Sequence, residues 1–404
     1  MRKLLRTILL AMPFILMSCS SDDDAMQPVG QQFNGDTTIF DLSAVSDESI
    51  SGTATFMENE DNSTTVEIQL TGTSSGMHPA HIHFNTAAEG GEIALTFEPI
   101  DGSTGMSTTT FSNLDDGSAI SYDEAINFDG YINVHLSAEE LETLIAQGDI
   151  GENDLTGAMK TFELGEKDVE GITGTATFEE RVNGEALATI TLQNTTDGGM
   201  HPAHIHMNTA AEGGDIAFTF NSVNGTTGMS KTNVAALDGG EMFGYSAVLD
   251  YDGYINVHLS AEELGTIVAQ GDIGQNEFTG ETKSYTLNSV DIAGIMGDAM
   301  FKERVNGETL VILSLENTVE GAMYPAHIHM GSVANAPGDI AITLNSVDGT
   351  TGMSMTNVSA FNGEDAEAID YEGLIEYDGY INVHLSAEEL GVLVAQGDIG
   401  LNAQ

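Results

Sequence analysis

The sequence predicts an all-β protein made of three tandem β-sandwich domains, each with a short helical turn. Apolar and polar residues alternate along short segments such as 65–70, which is typical of strands with one buried face. Asn-Gly pairs at 183–184 and 306–307 indicate tight hairpins, because both central residues of a type I′ turn need positive φ. Together with 46 glycines, these short and evenly spaced strands favour a β-sandwich.

Two histidine-bearing motifs occur three times and divide the chain into three units. Pro-Ala-His-Ile-His lies at 79–83, 202–206 and 325–329, and Gly-Tyr-Ile-Asn-Val-His lies at 130–135, 253–258 and 379–384. All 11 histidines lie in these motifs or within one residue of them. A repeat of this length indicates whole domains in tandem rather than a solenoid. The predicted domain boundaries are 33–153 (unit 1), 154–276 (unit 2) and 277–404 (unit 3).

A helix signal follows the second motif in every unit. Ser137 is followed three residues later by Glu140, and the pattern recurs after Ser260 and Ser386. This spacing is that of a capping box, so it predicts a short helical turn at this point. Residues 142–150 fit either a continuation of that helix or a closing strand, and both interpretations stay open.

The first 32 residues predict export and membrane anchoring. Residues 1–18 combine a basic start with an apolar run that is too short to span a bilayer, as in a lipoprotein signal peptide. Residues 16–19, Leu-Met-Ser-Cys, resemble a bacterial lipobox, which implies that Cys19 is acylated and bound to membrane lipid. The alternative is a plain signal peptide cleaved nearby.

Residues 19–32 predict an acidic tether. Its Ser-Ser-Asp-Asp-Asp run at 20–24 resembles the export tag of surface-exposed lipoproteins in the Bacteroidota. We therefore expect a lipoprotein of the cell envelope, anchored in the outer membrane and exposed at the cell surface.

The charge of the chain excludes some partners. Its formal net charge is −53, which repels nucleic acid, so we expect no nucleic-acid partner. Hydrophobic residues make up 41% of the chain and alternate with polar ones, which favours packed domains over disorder. The sequence contains no nucleophile elbow, phosphate loop, Cys-His pair or zinc-protease helix, so we expect a non-catalytic protein.

The two histidine motifs resemble those of the CHRD domain, a module first described in chordin. The resemblance covers each unit nearly from end to end, although Ser-Ala-Glu-Glu-Leu replaces the Thr-Ala-Ala-Asn-Pro type of loop after the second motif. It implies three domains of one fold in tandem. Our leading hypothesis is a surface-anchored lipoprotein that presents three CHRD-like domains for extracellular binding or matrix interaction, with an unknown extracellular ligand.

A second resemblance concerns metal chemistry. Residues 77–83 are similar to the His-x-x-His-x-His strand of copper/zinc superoxide dismutases, and residues 134–135 are similar to the strand that supplies their last copper ligand. It implies a Greek-key sandwich with three copper ligands in each unit. These are His81, His83 and His135 in unit 1, His204, His206 and His258 in unit 2, and His327, His329 and His384 in unit 3. The chain lacks the additional histidines and the cysteine pair of those enzymes.

Strand geometry also favours these nine histidines as metal ligands. A His-x-His pair on a strand places both imidazoles on one face, and a third imidazole from a neighbouring strand completes a three-nitrogen site for copper or zinc, one ion per domain. The residues directly before the first motif, His78, His201 and Tyr324, are predicted to be structural, because unit 3 has a tyrosine there.

The alternative to a metal site is a hydrogen-bond network. Each ring can donate to one backbone group and accept from another, which would fix the crossing of the two strands. Asn133, Asn256 and Asn382 lie beside the triads and would join such a network. Met106, Met229 and Met353 also recur once per unit; we predict that they fill the core, and thioether ligation of Cu(I) is the alternative.

Overall fold

The computed structural model describes residues 35–363 and 366–403. The predicted signal peptide (1–18), the acidic tether (19–32) and Cys19 lie outside the described residues. Most of the described chain is strand, so the all-β prediction is confirmed. No helix in these ranges has the length and apolar character needed to cross a membrane.

The first sheet contains ten strands from 37–150. They are β1 (Thr37–Ala44), β2 (Ser51–Glu58), β3 (Thr64–Thr71), β4 (Met77–His78), β5 (Ala80–Phe84), β6 (Ile93–Thr96), β7 (Ile100–Asp101), β8 (Met106–Phe111), β9 (Gly130–Ser137) and β10 (Glu140–Ile150). Helix α1 (Tyr122–Ala125) precedes β9, and a 3₁₀ turn (Gly151–Asn153) follows β10.

The second and third sheets each contain eight strands. Unit 2 has β11 (Leu155–Glu166), β12 (Thr173–Arg181), β13 (Ala186–Gln193), β14 (Met200–Met207), β15 (Ile216–Asn224), β16 (Met229–Val234), α2 (Tyr245–Leu249), β17 (Asp252–His258) and β18 (Ile267–Gly274). Unit 3 has β19 (Phe278–Ser289), β20 (Met296–Arg304), β21 (Thr309–Glu316), β22 (Met323–Met330), a 3₁₀ turn (Val333–Asn335), β23 (Ile340–Asp348), β24 (Met353–Val358), α3 (Tyr371–Ile375), β25 (Asp378–His384) and β26 (Leu393–Gly400).

Two of the three sheets close into barrels. The antiparallel order is β11-β12-β13-β16-β15-β14-β17-β18 in unit 2, and unit 3 repeats it with β19 to β26. In unit 1 the order β4-β7-β8-β3-β2-β1-β10-β9-β5-β6 leaves the ladder open, because two long strands of the other units are each split in two. Pro99 lies in one of these breaks, where the other units have Ser222 and Ser346. Proline has no backbone N–H to donate to the ladder, so it interrupts the strand between β6 and β7.

Each unit has its own hydrophobic core inside its sheet. In unit 2, Ile205 on β14 pairs with Ile255 on β17, and neither side chain is exposed. Because side chains alternate between the two faces of a strand, His204 and His206 lie on the outer face of the same barrel.

The helical turn predicted after the second motif is wrong. Residues 140–150 form strand β10 in unit 1, which also decides between the two interpretations of 142–150. The Ser137 hydroxyl accepts a hydrogen bond from the Glu139 N–H at 3.2 Å and forms a turn rather than a helix cap. The short helix of each unit lies before the second motif instead, and α1 has a complete capping box formed by Ser121 and Glu124.

Consecutive units are joined by a buried arginine, a feature that we call the arginine junction. Arg181 of unit 2 is fully buried and donates from Nη1 to Asp149 Oδ2 of unit 1 at 2.8 Å, and also to the Asn153 carbonyl. Unit 3 repeats the contact, since Arg304 Nη1 donates to Asp272 Oδ2 of unit 2 at 2.8 Å. The two arginines therefore connect the three units through equivalent contacts.

Candidate metal centre

The structure brings the nine predicted histidines together as three triads. Within each triad, one ligand atom per residue lies within 4.8 Å of the others. The triads are His81, His83 and His135; His204, His206 and His258; and His327, His329 and His384. Each such group can hold a metal ion.

Two neighbouring strands position each triad. In unit 2, His204 lies opposite Asn256 and His206 lies opposite Tyr254 in the pairing of β14 with β17. His258 is the last residue of β17, where the pairing with β18 shifts register. The shift ends the regular ladder beside the triad, so the loop that follows can fold over the outer face of the barrel.

Backbone carbonyls determine which nitrogen of two of the rings faces the site. His206 Nδ1 lies 2.9 Å from the Gly214 carbonyl oxygen, and His258 Nδ1 lies 2.6 Å from that of Leu264. A carbonyl oxygen only accepts, so both Nδ1 atoms carry the hydrogen and both Nε2 atoms keep a lone pair. Unit 3 has the same contacts, from His329 to Gly338 and from His384 to Leu390.

The nitrogens that face the site are buried and lack hydrogen-bond partners within the described chain. In unit 2 these are His204 Nδ1, His206 Nε2 and His258 Nε2. In unit 3 they are His327 Nδ1, His329 Nε2 and His384 Nε2. Buried polar atoms nearly always have a partner, so three converging nitrogens without one indicate a ligand.

The triad of unit 1 differs in one contact. His81 Nδ1 lies 3.2 Å from His135 Nε2, while His83 Nε2 has no partner in the described residues. His135 Nδ1 is held by the Leu141 carbonyl, so His135 Nε2 is an acceptor and His81 donates to it. If that hydrogen is carried by Nε2 of His81 instead of Nδ1, unit 1 offers the same three nitrogens as the other units.

Burial keeps several of these imidazoles neutral. It lowers the pKa of His204 to about 4, with further lowering by His258 and His206 and a smaller opposing effect of Asp238. Burial also lowers the pKa of His81 and His327, and the neighbouring triad histidines contribute in the same direction. Metal ligation requires deprotonated imidazole nitrogens, and a lowered pKa supplies them at neutral pH.

A tyrosine supports the second histidine of each triad. His83 stacks on Tyr131, with ring centroids 5.0 Å apart and planes inclined by 18°. The Tyr131 hydroxyl accepts a hydrogen bond from the Gly91 N–H at 3.1 Å, and Gly91 supplies the carbonyl that fixes His83. Sequence reasoning missed these tyrosines, although the Tyr of the second motif recurs in all three units; the other two are Tyr254 and Tyr380.

The other predicted site residues lie beside the triads. His78 Nδ1 and Nε2 contact the carbonyl oxygens of Leu136 and Ser74 at 2.8 and 3.0 Å. His201 Nδ1 lies 3.2 Å from the His258 carbonyl, and the Tyr324 hydroxyl accepts from the Val319 N–H at 2.9 Å. All three are at most 1% exposed and connect the first-motif strand to its surroundings.

The three asparagines bond to glutamines rather than to histidines. Asn133, Asn256 and Asn382 each accept from a glutamine amide of the closing strand at 2.7–2.8 Å, from Gln147, Gln270 and Gln396 respectively. These hydrogen bonds connect the second-motif strand to the closing strand and do not involve the triad histidines.

The recurrent methionines are exposed, so their predicted place in the core is wrong. Met106, Met229 and Met353 keep 39%, 41% and 39% of their surface exposed. Each begins a strand of its unit, and the side chain points away from the core.

Comparison of the chain with protein-family models, curated proteins and solved structures finds no match. The site is therefore defined by its own geometry: three imidazole nitrogens in each unit, held by two strands and oriented by backbone carbonyls and a tyrosine.

Proposed function

We propose that each unit binds one transition-metal ion, copper or zinc, through its histidine triad. One observation carries this proposal: in units 2 and 3, all three nitrogens that face the site are buried without a partner in the described residues. A histidine network would instead use these nitrogens as acceptors. Leaving an acceptor buried and unsatisfied costs about 1–3 kcal/mol per group, and a bound cation removes that cost.

The donor set decides the class of metal. Three neutral imidazoles suit zinc or copper, whereas calcium and magnesium prefer oxygen ligands. In unit 2, the Gly214 and Leu264 carbonyls fix the orientation of two rings. Such outer contacts hold ligands in place and raise the basicity of the coordinating nitrogen.

We propose metal binding without catalysis as the main role. The sequence has no catalytic constellation, and its net charge of −53 favours cations over anionic substrates near the surface. That each unit is a CHRD-type sandwich of superoxide-dismutase-like topology is also part of the proposal, and the repeated histidine motifs support it.

The second candidate function is presentation of the three units at the cell surface to an extracellular ligand. The arginine junctions favour it, because Arg181 and Arg304 connect the units into one ordered row. Repeated units raise avidity when a partner can engage several of them at once. Anchoring through an acylated Cys19 in the outer membrane belongs to this proposal and rests on the lipobox-like residues alone.

Metal stoichiometry tests the primary proposal. The metal-stripped chain is titrated with Cu(II) and, separately, Zn(II), and the bound metal is counted by elemental analysis after dialysis. Three triads predict three ions per chain, and His206→Ala should reduce the count to two. His201→Tyr is the matched control, because unit 3 has Tyr324 at that position and should retain its ion.

Two outcomes would contradict metal binding. One is a chain that retains neither metal after dialysis. The other is a His206→Ala variant that binds as many ions as the parent.

A further inference from the structure

Two exposed methionines lie close together on the sheet of every unit, and we call them the thioether pair. In unit 2, Met200 on β14 lies opposite Asn224 on β15, and Asn224 lies opposite Met229 on β16. The equivalent rows are Met77, Asp101 and Met106 in unit 1, and Met323, Asp348 and Met353 in unit 3. Residues directly opposite each other point to the same face of a sheet, so both thioethers of a pair lie on one face.

Both methionines of each pair are exposed in all three units. Met77, Met200 and Met323 keep 54%, 53% and 53% of their surface exposed, and the second methionine of each pair keeps 39–41%. Methionine is usually a flexible core residue, and at these positions it gains little from burial. Two residues further along the second strand, the three units have Thr108, Lys231 and Met355. A neighbouring surface position has therefore changed between the units, whereas both thioethers are present in each of them.

A hairpin fixes the backbone beside each methionine of the pair. In unit 2 the Gly199 carbonyl accepts a hydrogen bond from the Gly225 N–H at 2.8 Å. The Gly228 carbonyl accepts from the Leu192 N–H at 2.7 Å. These two carbonyls belong to the residues directly before the two methionines. The equivalent carbonyls in units 1 and 3 accept in the same way at 2.7–2.8 Å, and they belong to Gly76, Gly105, Ala322 and Gly352.

The residue between the two methionines bonds to its own turn. In every unit its side-chain oxygen accepts from the backbone N–H two residues later at 2.7–2.9 Å; the three residues are Asp101, Asn224 and Asp348. This contact is an Asx turn, and it draws the side chain towards the hairpin. Two strand spacings place the methionine backbones roughly 9–10 Å apart. Two unbranched, flexible side chains can therefore meet above the middle residue with a metal ion between them.

The thioether pair is separate from the histidine triad. On β14, the buried residues His201, Ala203 and Ile205 alternate with Met200 and His204, which lie on the outer face. Met200 lies four residues before His204, which is about 13 Å along the strand. One ion therefore cannot bind to both groups.

We propose that each thioether pair binds one soft monovalent metal ion, Cu(I). Thioether ligands favour Cu(I), which accepts a small number of soft donors, whereas Zn(II) prefers a tetrahedral set of nitrogen, thiolate or oxygen ligands. The net charge of −53 favours cations near this exposed face. This second class of site has a different metal preference from the histidine triads and does not depend on them.

Silver titration followed by NMR tests the proposal. Ag(I) has the soft character of Cu(I) and is not oxidised by air, so it is the probe. The full chain, labelled with ¹³C at the methionine methyl groups, is titrated with silver nitrate in chloride-free buffer. The methyl signals of the paired methionines should shift until the added silver exceeds the triads and the pairs together. The signal of Met242, which is 89% exposed, should stay in place.

Substitution of one member tests whether the two thioethers act together. Met200→Leu keeps the size and apolar character of the side chain, and it should abolish the shift of Met229 while leaving that of Met106 unchanged. Met207→Leu is the matched control, because Met207 lies on the same strand, is 45% exposed and has Gly253 opposite it. This control should leave the shift of Met229 as it is in the parent chain.

A Zn(II) titration separates this proposal from that of the histidine triads. Zn(II) should shift the imidazole C–H signals of the triads and leave the methyl signals of the paired methionines unchanged. The imidazole response to Zn(II) therefore tests the triads, and the methyl response to Ag(I) tests the pairs.

Three results would overturn the thioether site. The first is a folded chain whose paired methyl signals do not move in excess silver. The second is a shift of Met207 or Met242 equal to that of the paired methionines. The third is an unchanged shift of Met229 in Met200→Leu. If Met200→Leu does not fold, Met229→Leu is judged in the same way from the signal of Met200.

Discussion

His206 Nδ1 lies 2.9 Å from the carbonyl oxygen of Gly214, and this single contact determines that Nε2 of the ring faces the other two histidines. Unit 1 has the same 2.9 Å contact between His83 and Gly91, and unit 3 has it between His329 and Gly338. A loop contact outside the histidine motif thus selects the nitrogen that is offered to a metal.

The stability of the metal-free protein should rise with pH between about 4 and 6.5. Burial and the neighbouring histidines lower the pKa of His204 to about 4, whereas an unfolded histidine has a pKa near 6.5. Between these values the unfolded state binds more protons, so the free energy of unfolding increases with pH and is lost on acidification. Urea unfolding of the metal-free chain at several pH values in this range measures how steeply the free energy of unfolding rises with pH. His204→Gln should make this rise less steep. An identical slope in the variant would refute this assignment.

Unit 3 should bind a divalent cation more weakly than unit 2. Asp238 raises the pKa of His204 against the effect of burial, which shows that its negative charge acts on the triad. Unit 3 has Asn362 at this position, and Asn362 Oδ1 accepts from the Thr343 N–H as Asp238 Oδ1 accepts from that of Thr219. An exposed charge of this kind is worth roughly 0.2–1 kcal/mol, or up to about fivefold in affinity.

Reciprocal substitutions test this difference. Asp238→Asn should weaken the unit 2 site, and Asn362→Asp should strengthen the unit 3 site by a similar factor. NMR signals of the imidazole C–H groups during a Zn(II) titration report each triad separately. Equal affinities in all variants would show that this position has no influence.

Removal of one junction arginine should destabilise the chain strongly. Arg181→Met leaves Asp149 beside the junction without its cation, and breaking a buried pair from one side costs about 3–5 kcal/mol. The urea-induced unfolding transition of the first two units should therefore move to a lower urea concentration. The double variant Arg181→Met/Asp149→Asn should recover part of the loss, since an amide oxygen can still accept from the Ala87 N–H. No recovery would mean that packing of the arginine, rather than its charge, stabilises the junction.

A methyl group on Gly271 should disturb the closure of the unit 2 barrel. A Cβ there would lie 2.1 Å from the Glu163 carbonyl oxygen on the adjoining strand, and that backbone atom cannot move without breaking the ladder. Gly271→Ala is therefore expected to cost about 1–3 kcal/mol of unfolding free energy. Gly265→Ala is the matched control, because no atom lies within 4 Å of its added Cβ, and its effect should stay within about 0.5 kcal/mol. Similar effects of the two substitutions in thermal unfolding would argue against a steric cause.

Local patterns predicted much of the fold and of the candidate site. Alternation along segments such as 65–70 predicted strands, and β3 (Thr64–Thr71) contains that segment. His-x-His spacing placed His81 and His83 on one face, because the period of a strand is two residues. The helix signal at Ser137 is also local, but it predicted the wrong structure, because β10 pairs with β9 and β1 and residues 140–150 are therefore extended.

Contacts between distant residues lay beyond sequence reasoning. Arg181 is fully buried against Asp149 of the preceding unit, a contact that no local pattern in the sequence predicts. The outward direction of Met106 likewise depends on which neighbour its strand pairs with, and no spacing in the chain encodes that.

The sequence by itself determined that the protein has three repeats, that its strands alternate, and that the two histidines of each His-x-His pair share a face, because repeats are visible along the chain and the period of a strand is two residues. Only the tertiary structure decided that two of the ladders close, that loop carbonyls such as that of Gly214 choose the nitrogen facing each site, and that two arginines join the units. Those outcomes depend on atoms far apart in the chain, which meet only after the sheets have formed.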